Sequence, residues 1–162
     1  MLGLFLYICI MWNLELFANK LHKLSKDKVT KEVISSKEIQ MEAIHLNKDI
    51  QLFEKGVDVF GVAMRSRRAR PSEVYTDFTI AMKKEKGQPY DRVTMRDTGL
   101  LYSTFKTKIV ALELMLSANT IKEGKDLQKS FGQFVGLNEY SIEKLVEKSK
   151  PIIIDYVKKS IL

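Results

Sequence analysis

The feature that most constrains the fold is a change of hydrophobic period partway along the chain. Val29, Val33, Ser36, Ile39, Ala43, Leu46, Ile50 and Phe53 recur at intervals of three and four, which lines them along one face of a helix. Phe105, Thr107 and Ile109, and then Leu112, Leu114 and Leu116, alternate instead with Lys106, Lys108, Glu113, Met115 and Ser117. A period of two belongs to a strand with one apolar face, and two such runs separated only by Val110 and Ala111 predict a β-hairpin. A lone hairpin is marginal in water until that face is covered, and the long helix is the cover this sequence offers. The expected class is α+β: a long N-terminal helix or helix pair, a small antiparallel sheet built on the hairpin, and a C-terminal helix interrupted by proline.

Local punctuation supplies the boundaries. Gly56 stops the long helix, and Ser35 with Glu38 offers a capping box that would divide it into two. Val57, Val59 and Val62, among Gly56 and Gly61, predict a short extended piece, followed by an arginine-rich loop to Arg70. Pro71 biases Arg70 away from helix, so Ser72 is placed as a cap. Val74, Phe78 and Met82 then give a helix over Glu73 to Lys86, ended by Gly87 and Pro89. Arg92 to Met95 is expected to be extended. In the turn Asp97-Thr98-Gly99, Gly99 takes positive φ and Asp97 bonds back to the backbone. Lys125 to Phe131 makes one or two helical turns ending at Gly132. Asn138 caps the last helix, whose stripe is Ile142, Leu145, Ser149, Ile152 and Tyr156. Pro151 kinks or restarts that helix, and the apolar end, Ile161 and Leu162, is expected to dock.

Ahead of these elements, residues 1–12 (Met1 to Trp12) form an uncharged apolar segment, and 13–162 are expected to form a single α+β domain. A membrane span needs roughly 20 apolar residues, and Asn13 and Glu15 arrive too early. No Lys or Arg precedes the run and no small-residue cleavage site follows it, so a secretory signal is not expected. Translation starting at Met11, a short buried helix and a weak anchor are the three alternatives. Leu14, Phe17, Leu21 and Leu24 predict a short amphipathic helix that follows.

With Cys9 as the single cysteine, an intramolecular disulfide framework and a cysteine-rich zinc cluster are excluded. His22 and His45 have no second ligand at metal spacing. Carboxylates are scattered beside lysines, as in solvated helix pairs, and no glycine-rich phosphate loop precedes a Lys-Ser or Lys-Thr. No catalytic residue, cofactor site or metal ligand is therefore expected, and the chain does not read as an enzyme. The net charge of +7 attracts anionic partners. Its densest part is Arg65, Arg67, Arg68 and Arg70, with Lys83, Lys84 and Lys86 a helix later. These cations are either a solvated loop and helix end or a contact for phosphates or an acidic protein. No aromatic residue is interleaved with the arginines, so stacking on single-stranded bases has no support.

Three stretches resemble small proteins encoded by tailed phages and by prophages of Bacteroides-type bacteria: QLFEKGVDVFGVAM at Gln51 to Met64, YTDFTIAMKKEKGQPYDRVTMRDTGLLYSTF at Tyr75 to Phe105, and DLQKSFGQFVGLNEYSIEKLVEKSKPIIIDYVKK at Asp126 to Lys159. Asp97, Thr98, Gly99, Leu101, Tyr102 and Phe105 are similar to the Thr-Gly-x-Leu/Phe element that tail-completion and head-tail joining proteins carry between helix and sheet. Phe131, Gly132, Gly136 and Leu137 match a second, glycine-rich element. The resemblance implies a virion protein of the tail or neck, made in the host bacterial cytoplasm, needing no cofactor, and assembling with other tail or neck proteins as a homo-oligomeric ring. DNA contact is compatible with that role and not required by it. The competing expectation is a basic nucleic-acid-binding accessory protein.

Overall fold

The structure is a computed structural model that describes residues 19–20 and 24–161. The apolar segment 1–12, Cys9, His22 and most of the amphipathic run from Leu14 to Leu24 lie outside the described residues, as does Leu162.

The long stripe forms a helix pair. Helix α1 (Lys26–Ser35) begins where the Ser25 hydroxyl accepts the Lys28 N–H, the usual N-cap bond. It ends at Ser36, whose backbone turns extended before α2 (Lys37–His45) begins. The expected Ser35–Glu38 capping box does not form: Ser35 ends α1, and Ser36, which takes the N-cap position, makes no side-chain cap hydrogen bond. Instead the Gln40 amide reaches back to donate to the carbonyls of Ile34 and Ser35 at the end of α1.

From α2 the chain runs on into a π-helical segment, Leu46–Lys55, closed by Gly56 at φ +63°. Hydrogen bonds from i to i+5 widen each turn, so the 3.6-residue stripe loses phase. Ile39, Ala43 and Leu46 are buried as expected of the pair's inner face, and Leu52, outside the predicted stripe, is buried too. Beyond Leu46, however, Asn47 and Gln51 are buried while Ile50 and Phe53 are only half-buried.

Gly56 leads into a tight loop bridged between Val57 and Ala63, in which Asp58 accepts the N–H groups of Phe60 and Val62. The next helix, α3, spans Asp77–Glu85 rather than 73–86. Thr76, not Ser72, is its N-cap. Residues 66–75 are held as turns by Ser66 N–H to Val74 O, which delivers Tyr75 to the core. Phe78 and Met82 face outward, correcting their expected burial, and Phe78 is 75% exposed.

Segment 92–95 pairs with no strand, although Val93 and Thr94 are fully buried. A one-turn helix, α4 (Leu100–Ser103), follows Gly99. The expected hairpin is β1 (Lys106–Val110) against β2 (Glu113–Ser117), with Thr107 opposite Leu116 and Ile109 opposite Leu114. Its two-residue turn is Ala111-Leu112, one residue later than the alternation predicted, and Ala111 sits at φ +54°. Helix α2 packs against it, tied by the Thr107 hydroxyl to the Gln40 side-chain oxygen, but the expected cover is incomplete, since no residue of either strand is buried and Ile109 and Leu112 near the turn are exposed.

A second small hairpin, β3 (Ile121–Lys122) with β4 (Lys125–Asp126), was not legible in the sequence. Asp126 then caps α5 (Leu127–Phe131), which ends at Gly132. Asn138 caps the last helix, α6 (Glu139–Ile161), by accepting the Ser141 N–H. Pro151 stands inside α6, and the helix continues through it without the expected interruption. Helix α6 packs on α1, α2 and the π-helical segment. The central core is Leu52, Met64, Tyr75, Val93, Phe105 and Phe134. Among the described residues no helix is long and apolar enough to cross a membrane.

Candidate functional site

The sequence element Asp97-Thr98-Gly99-x-Leu101 builds the wall of the main concavity, a groove of about 560 Å³. Gly99, at φ +86°, turns the chain into α4. That residue is glycine for its backbone alone, since a Cβ there would meet nothing within 4 Å. Across the groove stand α3, the β3-β4 hairpin and α5. Val93, Met95, Leu101, Leu127 and Phe131 form its apolar lining, with Met82, Leu100 and Ile121 exposed at its mouth.

Asp97 holds this arrangement together. Its carboxylate accepts from Lys122 Nζ at 2.8 Å and Lys86 Nζ at 3.0 Å, so the β3-β4 hairpin is tied to the end of α3. It does not bond back to the backbone as the turn chemistry suggested; its own carbonyl accepts from the Gln88 amide instead. Those two ammonium groups hold the carboxyl down at about 2. Lys83, deeper in the groove, is pushed below the ordinary lysine range by burial, partly offset by the Asp97 charge. It lies over the Tyr75 ring. Arg96 lies over Phe53 and, like Lys83, has no carboxylate partner among the described residues.

The other motif residues divide by role. Tyr102 and Phe105 meet edge to face, 6.2 Å between centroids, and Phe105 is core. The Tyr102 hydroxyl donates to the Thr94 carbonyl. Burial, with the Asp49 charge adding, raises Tyr102 above the ordinary tyrosine range, and burial pushes Tyr75 up to about 12. Phe131 lines the groove. Gly132, Gly136 and Leu137 lie away from it, in the chain between α5 and α6. There the carbonyl of Gly136 accepts from Asn47 and Gln51. Its missing Cβ leaves room for Val59 Cγ1, which would otherwise be 3.1 Å away.

The arginine loop splits in two. Arg65 donates to the Pro71 carbonyl, and Arg70 bridges Glu73 and Asp77, so both brace the loop itself. Arg67 and Arg68 are exposed and make no ion pair among the described residues. Lys84 lies over Tyr90 and Lys86 is committed to Asp97. The seven cations are therefore not one free patch. His45 is an exposed helix residue paired with Asp49. Among the described residues no three His, Cys, Asp or Glu side chains converge as a metal site.

Sequence reasoning missed the buried amides Asn47 and Gln51, the fully buried Phe134, and Lys122. The first had a signal: two amides at i, i+4 inside an apolar stripe. Phe134, an aromatic residue between two glycines, had a weaker one, and Lys122 had none. Compared with known proteins, the chain matches no family model, no curated protein and no solved structure.

Proposed function

We propose that this protein is a structural component of the tail or neck of a tailed phage virion, joining or completing the tail at its head-proximal end through protein contacts rather than catalysis. The observation that carries this is the distribution of exposed apolar side chains. Phe60 and Val62 on the first loop, Phe78 on α3, Leu100 at the groove, Val110 and Met115 on the main hairpin, and Ile142 and Val146 on α6 stand on separate elements. Where such residues adjoin, as Ile142 and Val146 do one helical turn apart, they make a contiguous apolar patch of the kind that marks a protein contact. The groove built by the phage-like Thr-Gly-x-Leu element agrees with that role. Deleting the gene from an inducible phage is expected to leave filled heads and tails that do not join, seen by negative-stain electron microscopy. Infectious particles of normal form would refute it.

A second function, nucleic-acid binding, is favoured by one observation, the exposed pair Arg67 and Arg68. Changing these two to alanine spares the braces made by Arg65 and Arg70. If they neutralise phosphates, the log–log salt slope of duplex binding falls by about 1.8, or about 0.9 per contact. Under the structural role, binding is weak and the slope barely moves.

A further inference from the structure

Two surfaces of this chain are complementary in both polarity and charge. The first is the groove between α3, Asp97–Leu101 and the β3-β4 hairpin, apolar inside, where Lys83 and Arg96 lack carboxylate partners. The second is the outer face of the first turns of α6. Ile142 and Val146 there are 50% and 52% exposed. With Glu139 and Glu143 they occupy positions i, i+3, i+4 and i+7, one contiguous patch. Glu139, Glu143 and Glu147 form a row of like charges at i, i+4 spacing, which disfavours a lone helix. Among the described residues only Glu147 of the three is matched, by Lys150. Glu139 gains from the helix N-terminus, but Glu143 lies beyond it.

The neighbouring cations are already engaged. Lys55 and Lys144 lie over Tyr140, and Lys148 pairs with Glu38. Among the described residues, therefore, neither Glu139 nor Glu143 of the acidic apolar patch has a cationic partner, and neither Lys83 nor Arg96 of the groove has a carboxylate one. No residue is shared between the two surfaces, so one molecule can use both at once.

Building on the proposed role as an assembling structural protein, we propose that the α6 patch Glu139, Ile142, Glu143 and Val146 of one copy docks in the groove of a second copy, its glutamates facing Lys83 and Arg96. Such a contact is heterologous: each copy offers a groove and a separate patch. Repetition gives a ring if the rotation closes and a filament if it does not. The glutamate row loses its repulsion on docking, and the exposed mouth residues Leu100 and Ile121 are covered.

The test is charge exchange in the full chain, followed by mass photometry and size-exclusion chromatography. Wild-type protein is expected to assemble, and the assemblies to weaken as salt is raised. K83E/R96E and E139K/E143K should each weaken self-association on the order of a hundredfold or more, since like charges then face each other. An equimolar mixture of the two should regain assembly, because each then offers a surface matching the other. Circular dichroism verifies folding, and R96E alone replaces the groove double variant if that one unfolds. Wild-type monomer at the highest soluble concentration, or assembly unaffected by either variant, overturns the proposal. So does a monomer whose groove takes up oleate, a probe for an anionic amphiphile, in native mass spectrometry. The tail role is judged separately, by particle morphology: joined particles with a normal tail would sink that role while leaving a confirmed self-contact standing.

Discussion

Asp97 is the residue on which the groove depends, and its environment gives a pH signature. Two lysine hydrogen bonds hold its folded-state pKa at about 2, below its ordinary value of 3.8. A depressed carboxyl pKa means stability that is complete above the ordinary value and lost as pH falls through the folded one. The carboxylate side chain is 45% exposed, so water screens both pairs, and the contribution is about 0.5 to 1 kcal/mol. Asp97→Asn is expected to lower the melting temperature slightly at neutral pH. It should also remove part of the loss of stability seen between pH 3.8 and about 2 in the wild type, measured by thermal melts across that range. Gly99, Gly56 and Asn138 were legible because caps and left-handed turns are set by the residue and its immediate neighbours, whereas Asp126, expected inside a helix from Lys125, is the N-cap of one that starts at Leu127. The Asp97 partners were not legible. Lys86 and Lys122 lie 11 and 25 residues away, and only the tertiary fold brings them to one carboxylate.

At the scale of elements, the helix pair and the main hairpin followed from periodicity, and the phase of the second helix did not. A period rule assumes 3.6 residues per turn, and the π-helical run Leu46–Lys55 breaks that assumption. The same wide turns swing Asn47 and Gln51 inward, where they knit three segments together. Asn47 donates to the carbonyls of Phe134 and Gly136, while Gln51 donates to Gly136 and accepts from the Asn138 N–H and the Ser141 hydroxyl. This network fixes the start of α6, the helix that carries the acidic patch. Gln51→Leu keeps the volume but leaves the Asn138 N–H buried without its acceptor, at a cost of about 3 kcal/mol. The expected drop in melting temperature is roughly 6–12 °C, checked by differential scanning calorimetry. An unchanged melt would show that water replaces the amide. The helix α3 boundary was misplaced for a related reason. Val74 fits a helical stripe equally well as the first member or as a turn residue, and the Ser66 to Val74 hydrogen bond selects the turn.

For the molecule as a whole, α+β class and helix order could be read from one sequence, because burying apolar faces leaves few ways to arrange them. The groove could not. Of its walls only α3 carries a period; the Asp97 turn, a two-residue-strand hairpin and a five-residue helix are too short to show one. The arginine cluster was visible as a run of charge, yet half of it braces its own loop, a division set by where Pro71, Glu73 and Asp77 fall in space. What unites the account is the proposal that the chain acts by fitting against other chains of a virion. The most direct measurement is absolute quantification of this protein by mass spectrometry in gradient-purified particles induced from the strain that carries its gene. A fixed number of several copies per particle, unchanged by nuclease and high-salt washing, is the predicted result. Less than one copy per particle, with the protein left among the soluble contents of the lysate, would contradict it.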